Sequence, residues 1–365
     1  MNRLRGAGLL LIAPAIALAL ALVVAVLVLA LAGANPTAIL ADALAYGLRP
    51  TTLIAVVNKA IPYYLAGIAA AIGFHLRLFN IGIDGQYRLA AFAAAVVGAA
   101  VAIPAPLHIA LVVTVALVVG WGWAAIAGLL YVRRGVNVVI STIMLNAIAT
   151  GIIAYLLSPQ RLAQQAAGSN NITTATIPES GWIPGLPTPA GAVNGLFVLA
   201  ILVGAAYWLV LNRTTIGFEV RAMGLSGRAA TVAGIRATRL ALLTMAASGA
   251  VAGLVGLPQL LGASHRFGLD FPAGLGFTGL SVAILGRNHP IGVAIGAFVW
   301  AFLERSAQVL DLAGVSKEVV TILQAVIVLS IVVAYEAVRR VRARQERRYV
   351  AQAVETSPVI EGASA

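Results

Sequence analysis

The sequence predicts an all-α polytopic membrane protein of about ten transmembrane helices, some of them half-helices, and three observations carry that prediction. Of its 365 residues, 61% are hydrophobic and only 10% charged, with a mean hydropathy of +0.98. Apolar runs of about twenty residues recur, the length a helix needs to cross a bilayer. The run from Leu9 to Leu31 is continuously apolar, without the period-two alternation of a membrane β-barrel. Cysteine is absent, so disulfides and thiolate metal sites are excluded. The net charge is +12, yet its basic residues are almost all arginines at the ends of apolar runs. That is the positive-inside pattern of a chain facing anionic lipid, not of a nucleic-acid binder.

The N-terminus, Met1 to Arg5 followed by about 27 apolar residues, reads as a retained anchor, because a signal peptide's apolar region runs only about 7–15 residues. Further apolar segments span 52–74, 83–101, 107–132, 136–157, 195–212, 237–257, 275–287, 290–310 and 318–338. Arg3 and Arg5, Arg133 and Arg134, the five arginines between 213 and 239 and the six between 339 and 348 all belong on the cytoplasmic side, so the number of crossings is even and both termini are cytoplasmic. The segment 158–194 carries only Arg161 and Glu179 as charges, with five prolines and four glycines. It reads as an external loop, either a plain connector or a docking surface. The expected organisation is one membrane domain, 1–345, and a disordered cytoplasmic tail, 346–365.

Two places interrupt the helical pattern. Leu275 to Arg287 has about thirteen residues where a crossing needs about twenty, and glycines and His289-Pro290 flank it, so a half-helix is expected. Residues 79–86 read Phe-Asn-Ile-Gly-Ile-Asp-Gly-Gln. An ionised Asp at the centre of a membrane helix costs roughly 2.5–3.5 kcal/mol on insertion scales, so Asp84 should face a cavity or a partner. The glycines let the backbone leave helical geometry. Interruptions at corresponding positions of two halves predict an inverted repeat with the pathway at its interface.

The arginine-rich stretch 213–239 is too long for a plain turn between spans. It predicts two short helices, Gly217–Met223 and Gly227–Gly234, separated by Gly224-Leu225-Ser226, with Ser226 capping the second. Its small residues, Ala229, Ala230, Ala233 and Gly234, permit close packing against another surface.

Together, FNIGIDGQ at 79–86, VNVVISTIMLN at 136–146, Gly217-x3-Arg221-Ala222-x-Gly224, Ala229-Ala230-x2-Ala233-Gly234-Ile235 and LGRNHPIG at 285–292 resemble membrane permeases of ABC importers. The group serves simple sugars, nucleosides and branched-chain amino acids, and its nucleoside and sugar branch fits best. The resemblance runs from about residue 50 to 338, with Asp84 where the family commonly has Glu and Ser226 where Asn is usual. It implies a second permease subunit, two cytoplasmic ATP-binding subunits, an external substrate-binding protein and a small-molecule substrate. It also implies that 213–239 is the ATPase-coupling element, through Gly217, Arg221, Ala222, Gly224, Ala229, Ala230 and Gly234. Independently, no Gly-x4-Gly-Lys-Ser/Thr loop is present, and Lys59 and Lys317 are the only lysines, so the chain is not itself the ATPase.

For the substrate pathway or gate the candidates are Asn80, Asp84, Gln86 and Asn146. Sugar hydroxyls need side chains that donate and accept hydrogen bonds, which Asn and Gln supply. The competing role for Asn80 and Gln86 is to satisfy backbone groups freed at the break. Asn137 should cap a helix, and Asn146 should bond between helices. Arg88, four residues after Asp84, is the expected ion-pair partner. The adjacent Glu304 and Arg305 do not face each other on a helix, and Gln259, His265, Arg266 and Asp270 read as a glycine-rich loop. The four histidines have no ligand spacing, and neither metal nor cofactor is expected. An alternative function is a proton- or ion-coupled secondary transporter titrating Asp84.

Overall fold

A computed structural model describes residues 35–165 and 171–312 continuously, with scattered positions elsewhere. The expected N-terminal anchor, the last apolar run at 318–338 and the tail from 346 lie outside the described residues. Residues Ala45–Ser306 form one compact unit. Eleven helices are labelled: α1 (Pro36–Gly47), α2 (Pro50–Phe74), α3 (Ile83–Ala99), α4 (Ala105–Arg134), α5 (Val138–Leu156), α6 (Phe197–Arg213), α7 (Thr215–Leu225), α8 (Gly227–Val232), α9 (Ala237–Gly253), α10 (Leu275–Leu285) and α11 (Pro290–Leu312). Helix α9 continues through tighter and wider turns to Ser264. Eight of the expected runs therefore appear as helices.

Among the described residues, four helices are long and apolar enough to cross a membrane, or five if α6 and α7, bent by 73°, count as one span. Helices α3, with 17 residues, and α10, with 11, fall short of about twenty because each begins at a break rather than at a membrane surface. Local signals set several ends. Prolines occupy the first turns of α2 and α4, where their missing N–H costs nothing. Asn137 caps α5, accepting from the Val139 N–H at 2.8 Å. Gly135, at φ 67°, closes α4 behind Arg133 and Arg134, where cations also complement the helix dipole.

Small residues hold the interior together. On α4, Ala116, Gly120 and Ala124 recur every four residues; the backbones of Ala116 and Gly120 meet Gly253 and Gly249 of α9, and the Ala124 methyl packs on Gly249. Helix α10 approaches α2 the same way, with Gly279 on Ala66. In lipid no hydrophobic force joins helices, so such close contact supplies dispersion that larger side chains would prevent.

The segment 158–194 is built rather than a plain connector. Gln164–Gln165 (β1) pairs with Ile172–Thr173 (β2), and Leu186–Thr188 (β3) with Gly191–Val193 (β4), both antiparallel. Thr174 and Ile177 donate their backbone N–H groups to the carbonyls of Phe267 and His265, each at 2.8 Å. Asn58 of α2 donates to the Ala192 carbonyl at 2.9 Å and accepts from the Asn194 N–H at 2.7 Å. The segment is thus pinned to the start of α2 and to the 265–268 stretch.

Candidate transport pathway and coupling site

The break after α2 has a defined geometry. Leu78 N–H bonds to the Gly73 carbonyl and Arg77 N–H to that of Phe74, both at 3.0 Å, with Arg77 at φ 58°. This is a Schellman ending with arginine in the left-handed position where glycine is usual, at a cost of roughly 1–2 kcal/mol. Helix α10 ends the same way: Asn288 bonds to Ala283 and Arg287 to Ile284, both at 3.0 Å, with Arg287 at φ 54°. The FNIGIDGQ motif therefore follows, and the LGRNHPIG motif contains, the same strained turn.

Inside the break, Asn80 and Gln86 are 0% and 1% exposed. Asn80 Nδ2 donates to Gln86 Oε1 and to Ser248 Oγ, and Gln86 Nε2 donates back to Asn80 Oδ1, each at 2.9 Å. Asn80 Oδ1 also accepts from the Gly82 N–H at 3.1 Å, and Ser248 of α9 donates to the Ala69 carbonyl of α2 at 2.6 Å. This closed network bolts the broken strand of backbone to α9. Asn146 of α5 does the same on the other side: its Oδ1 accepts from Gly85 N–H at 2.8 Å and its Nδ2 donates to the Ile81 carbonyl at 2.9 Å. Asn146 is the interhelical bonding residue expected from its depth.

Asp84 does not pair with Arg88, whereas Lys59 and Glu304 form an ion pair at 2.6 Å. Instead Asp84 Oδ1 accepts from the N–H of Gly274 at 2.8 Å, and Gly274 is the residue preceding α10. Asp84 also lies in the first turn of α3. One carboxylate thus faces the positive ends of two helices, each interaction contributing about 0.3–1 kcal/mol. Glycine at 276 makes room for it, since a Cβ there would sit 2.8 Å from Asp84 Oδ2. That oxygen is buried without a hydrogen-bond partner among the described residues.

The arginine-rich segment meets this break at its other end. Thr214 caps α7 through the Gly217 N–H at 3.1 Å, and Ser226 caps α8 through Ala229 N–H at 3.3 Å, as its position predicted. Helix α7 runs further than expected, through Gly224 and Leu225. Gly224 lies directly against the His75 carbonyl oxygen at the end of α2. Gly217 is buried against the carbonyls of Val210 and Leu211, Ala222 accepts the Ser226 N–H at 3.0 Å, and Gly234 closes α8 at φ 87°. Ala230 is buried, whereas Ala229 is exposed; Leu225 and Val232 project outward, 86% and 87% exposed.

His75 links this segment to both breaks. Its Nε2 lies 2.7 Å from the Tyr207 hydroxyl, which donates to the Asn288 carbonyl at 2.6 Å. With that proton committed, His75 Nε2–H is the donor to Tyr207. Burial, and secondarily the Arg221 cation, hold His75 below its ordinary value, so the neutral ring is favoured. The turn after α2 and the turn after α10 are thereby tied through one tyrosine of α6. Sequence reasoning missed Ser248, Tyr207, Gly274 and the Lys59–Glu304 pair. The signal for the pair was two charges inside apolar runs.

A family model described as branched-chain amino acid transport system / permease component matches residues 52–332. The chain is 33% identical over 294 residues to the guanosine ABC transporter permease protein NupP of Bacillus subtilis, covering 80% of this chain and 84% of the relative. It is 32% identical to the glucose ABC transporter permease protein TsgB13 of Haloferax volcanii, covering 77% and 76%. It is 32% identical to the nucleoside ABC transporter permease protein NupB of Lactococcus lactis, covering 75% and 77%. With its broken helices, its clasped half-helix and this match across most of its length, the chain belongs to the branched-chain amino acid transport system / permease component family and is a membrane transport subunit of an ABC transporter, not an enzyme.

Proposed function

We propose that the chain is the permease of a bacterial importer for nucleosides or simple sugars, residing in the plasma membrane with both termini cytoplasmic. The named substrates of its relatives, guanosine, glucose and nucleosides, support the substrate class. Two ATP-binding subunits dock on 213–239, a second permease subunit completes the pathway, and an external protein delivers the solute. The observation that carries the proposal is the contact of Gly224 with the His75 carbonyl, because it joins the arginine-rich segment directly to the broken helix. ATP binding and hydrolysis by the partners move α7; His75 and Tyr207 pass the shift to both turns, and exposure of the pathway alternates. Asn80, Gln86 and Asn146 act as the fixed frame of the gate, and Asp84 as its clasp on α10. The rival reading, a gradient-driven carrier titrating Asp84, finds no support in the relatives, all of them ABC permeases.

The test is uptake by the complete complex in proteoliposomes, assayed with nucleosides, pentoses, hexoses and branched-chain amino acids. ATP-dependent, saturable uptake of a nucleoside or sugar is expected. Uptake of the amino acids alone, or uptake driven by an ion gradient without ATP, contradicts it.

A further inference from the structure

A second polar site lies away from the FNIGIDGQ network. It is a cavity of about 620 Å³ walled by the first half of α2, the 185–194 hairpin, the Pro258–Ala263 stretch and residues 271–275 leading into α10. That volume falls within the roughly 300–1,000 Å³ of small-molecule sites. Asn58 and Asn194 use their amides to hold its wall, the latter donating to the Pro258 carbonyl at 2.9 Å. Glu304 and its neighbour Arg305 reach in from α11; Glu304 is paired with Lys59 at 2.6 Å and accepts the Tyr63 hydroxyl proton. Gln259 lines the same space, and its side-chain amide makes no hydrogen bond among the described residues. Phe271, 5% exposed and stacked on Phe267 at 4.5 Å between centroids, closes one side.

An amide that donates and accepts, and a carboxylate set among lysine, arginine and tyrosine, suit a polyhydroxylated solute, whose hydroxyls both donate and accept. A hydrocarbon side chain offers the Gln259 amide no hydrogen bond and suits the cavity less. The floor is the N-terminus of α10, the element that Asp84 clasps through Gly274. Resting on the transport reading above, we propose that this cavity is the substrate chamber, with Gln259 and Glu304 as the specificity-determining residues that read the solute's hydroxyls. The chamber thereby opens or closes as the clasped half-helix moves.

The absence of native cysteine in this chain allows a direct test in the complete complex, its partner subunits also freed of reactive cysteines. Gln259→Cys is labelled with a membrane-impermeant maleimide applied to the face bearing the 158–194 segment. Saturating guanosine or glucose, delivered by the binding protein, is expected to slow labelling at least fivefold. Labelling of a control thiol, Leu186→Cys on the exposed hairpin, is expected to stay unchanged. In parallel, Glu304→Gln is expected to shift the uptake ratio of a ribonucleoside to its 2′-deoxy analogue at least threefold, which a merely structural loss would not do. Equal labelling with and without solute, together with an unchanged ratio, overturns the proposal. Protection by branched-chain amino acids alone keeps the cavity as the chamber but overturns the nucleoside and sugar reading, so the two failures are distinguishable.

Discussion

Replacing Gly224 with valine is expected to lower ATP-driven uptake by the assembled complex at least tenfold. A Cβ at this position would overlap the carbonyl oxygen of His75, and neither side can yield cheaply. His75 opens the turn whose next residues close α2 with Arg77 at φ 58°, and its ring is bonded to Tyr207, so its backbone is fixed from two directions. Helix α7 must therefore tilt or withdraw, breaking the backbone contact of Gly224 with His75 at the end of the broken helix. ATP hydrolysis persists because the variant alters no nucleotide site; uptake per ATP consumed is what falls. The control is Gly227→Ala, three residues on, where a Cβ would meet only Met223 Sδ at 3.5 Å, an ordinary contact. It should transport within about twofold of wild type, a free-energy change of roughly 0.4 kcal/mol. Equal uptake-to-hydrolysis ratios for both variants would refute the coupling role.

The largest effect on stability is expected at Gly120. Isoleucine there would drive its Cβ into the Gly249 carbonyl and to within 2.9 Å of Gly253 Cα and N, all backbone atoms that have no rotamer to change. Overpacking of this kind costs typically 1–3 kcal/mol, and the rigid α4–α9 seam argues for the upper end. At about 2–4 °C per kcal/mol for a domain of roughly 250 residues, the melting temperature in detergent should fall by about 6–12 °C. Gly122, two residues along the same helix, meets nothing within 4 Å. Gly122→Ile should therefore leave the melting temperature unchanged or raise it slightly, because isoleucine is a better helix former than glycine. A similar drop for both variants would show that the loss comes from α4 itself and not from the seam.

What was legible in the sequence follows the range of the interaction. Apolar run length marked eight helices, α10 among them through the short run at 275–287, because bilayer thickness acts on each segment alone. Asn137 and Ser226 were readable as caps because a cap bonds two or three residues away. Asp84 was not. The nearest cation, Arg88, made the local choice, whereas the true partner is a backbone N–H 190 residues away. Glu304 likewise takes the hydroxyl of Tyr63, 241 residues distant. The first helix of the arginine-rich segment was expected to end at Met223, because glycine at 224 usually stops a helix. Here the glycine is needed for contact with His75, and the helix continues through it. The 158–194 segment resembled a connector because its order comes from Asn58 and the 265–268 stretch rather than from its own composition.

The central claim is that Asp84 acts as a hydrogen-bond acceptor clasping α10 in an ATP-driven permease, not as a titrating group. ATP-driven uptake by the Asp84→Asn complex, in proteoliposomes without any ion gradient, tests it most directly. Asparagine keeps an oxygen for the Gly274 N–H and loses only the charge at two helix ends, a loss of about 0.3–1 kcal/mol per end. Uptake is predicted to stay within about thirtyfold of wild type, and well above that of Asp84→Ala. Uptake by Asp84→Asn as low as that of Asp84→Ala would contradict the clasp.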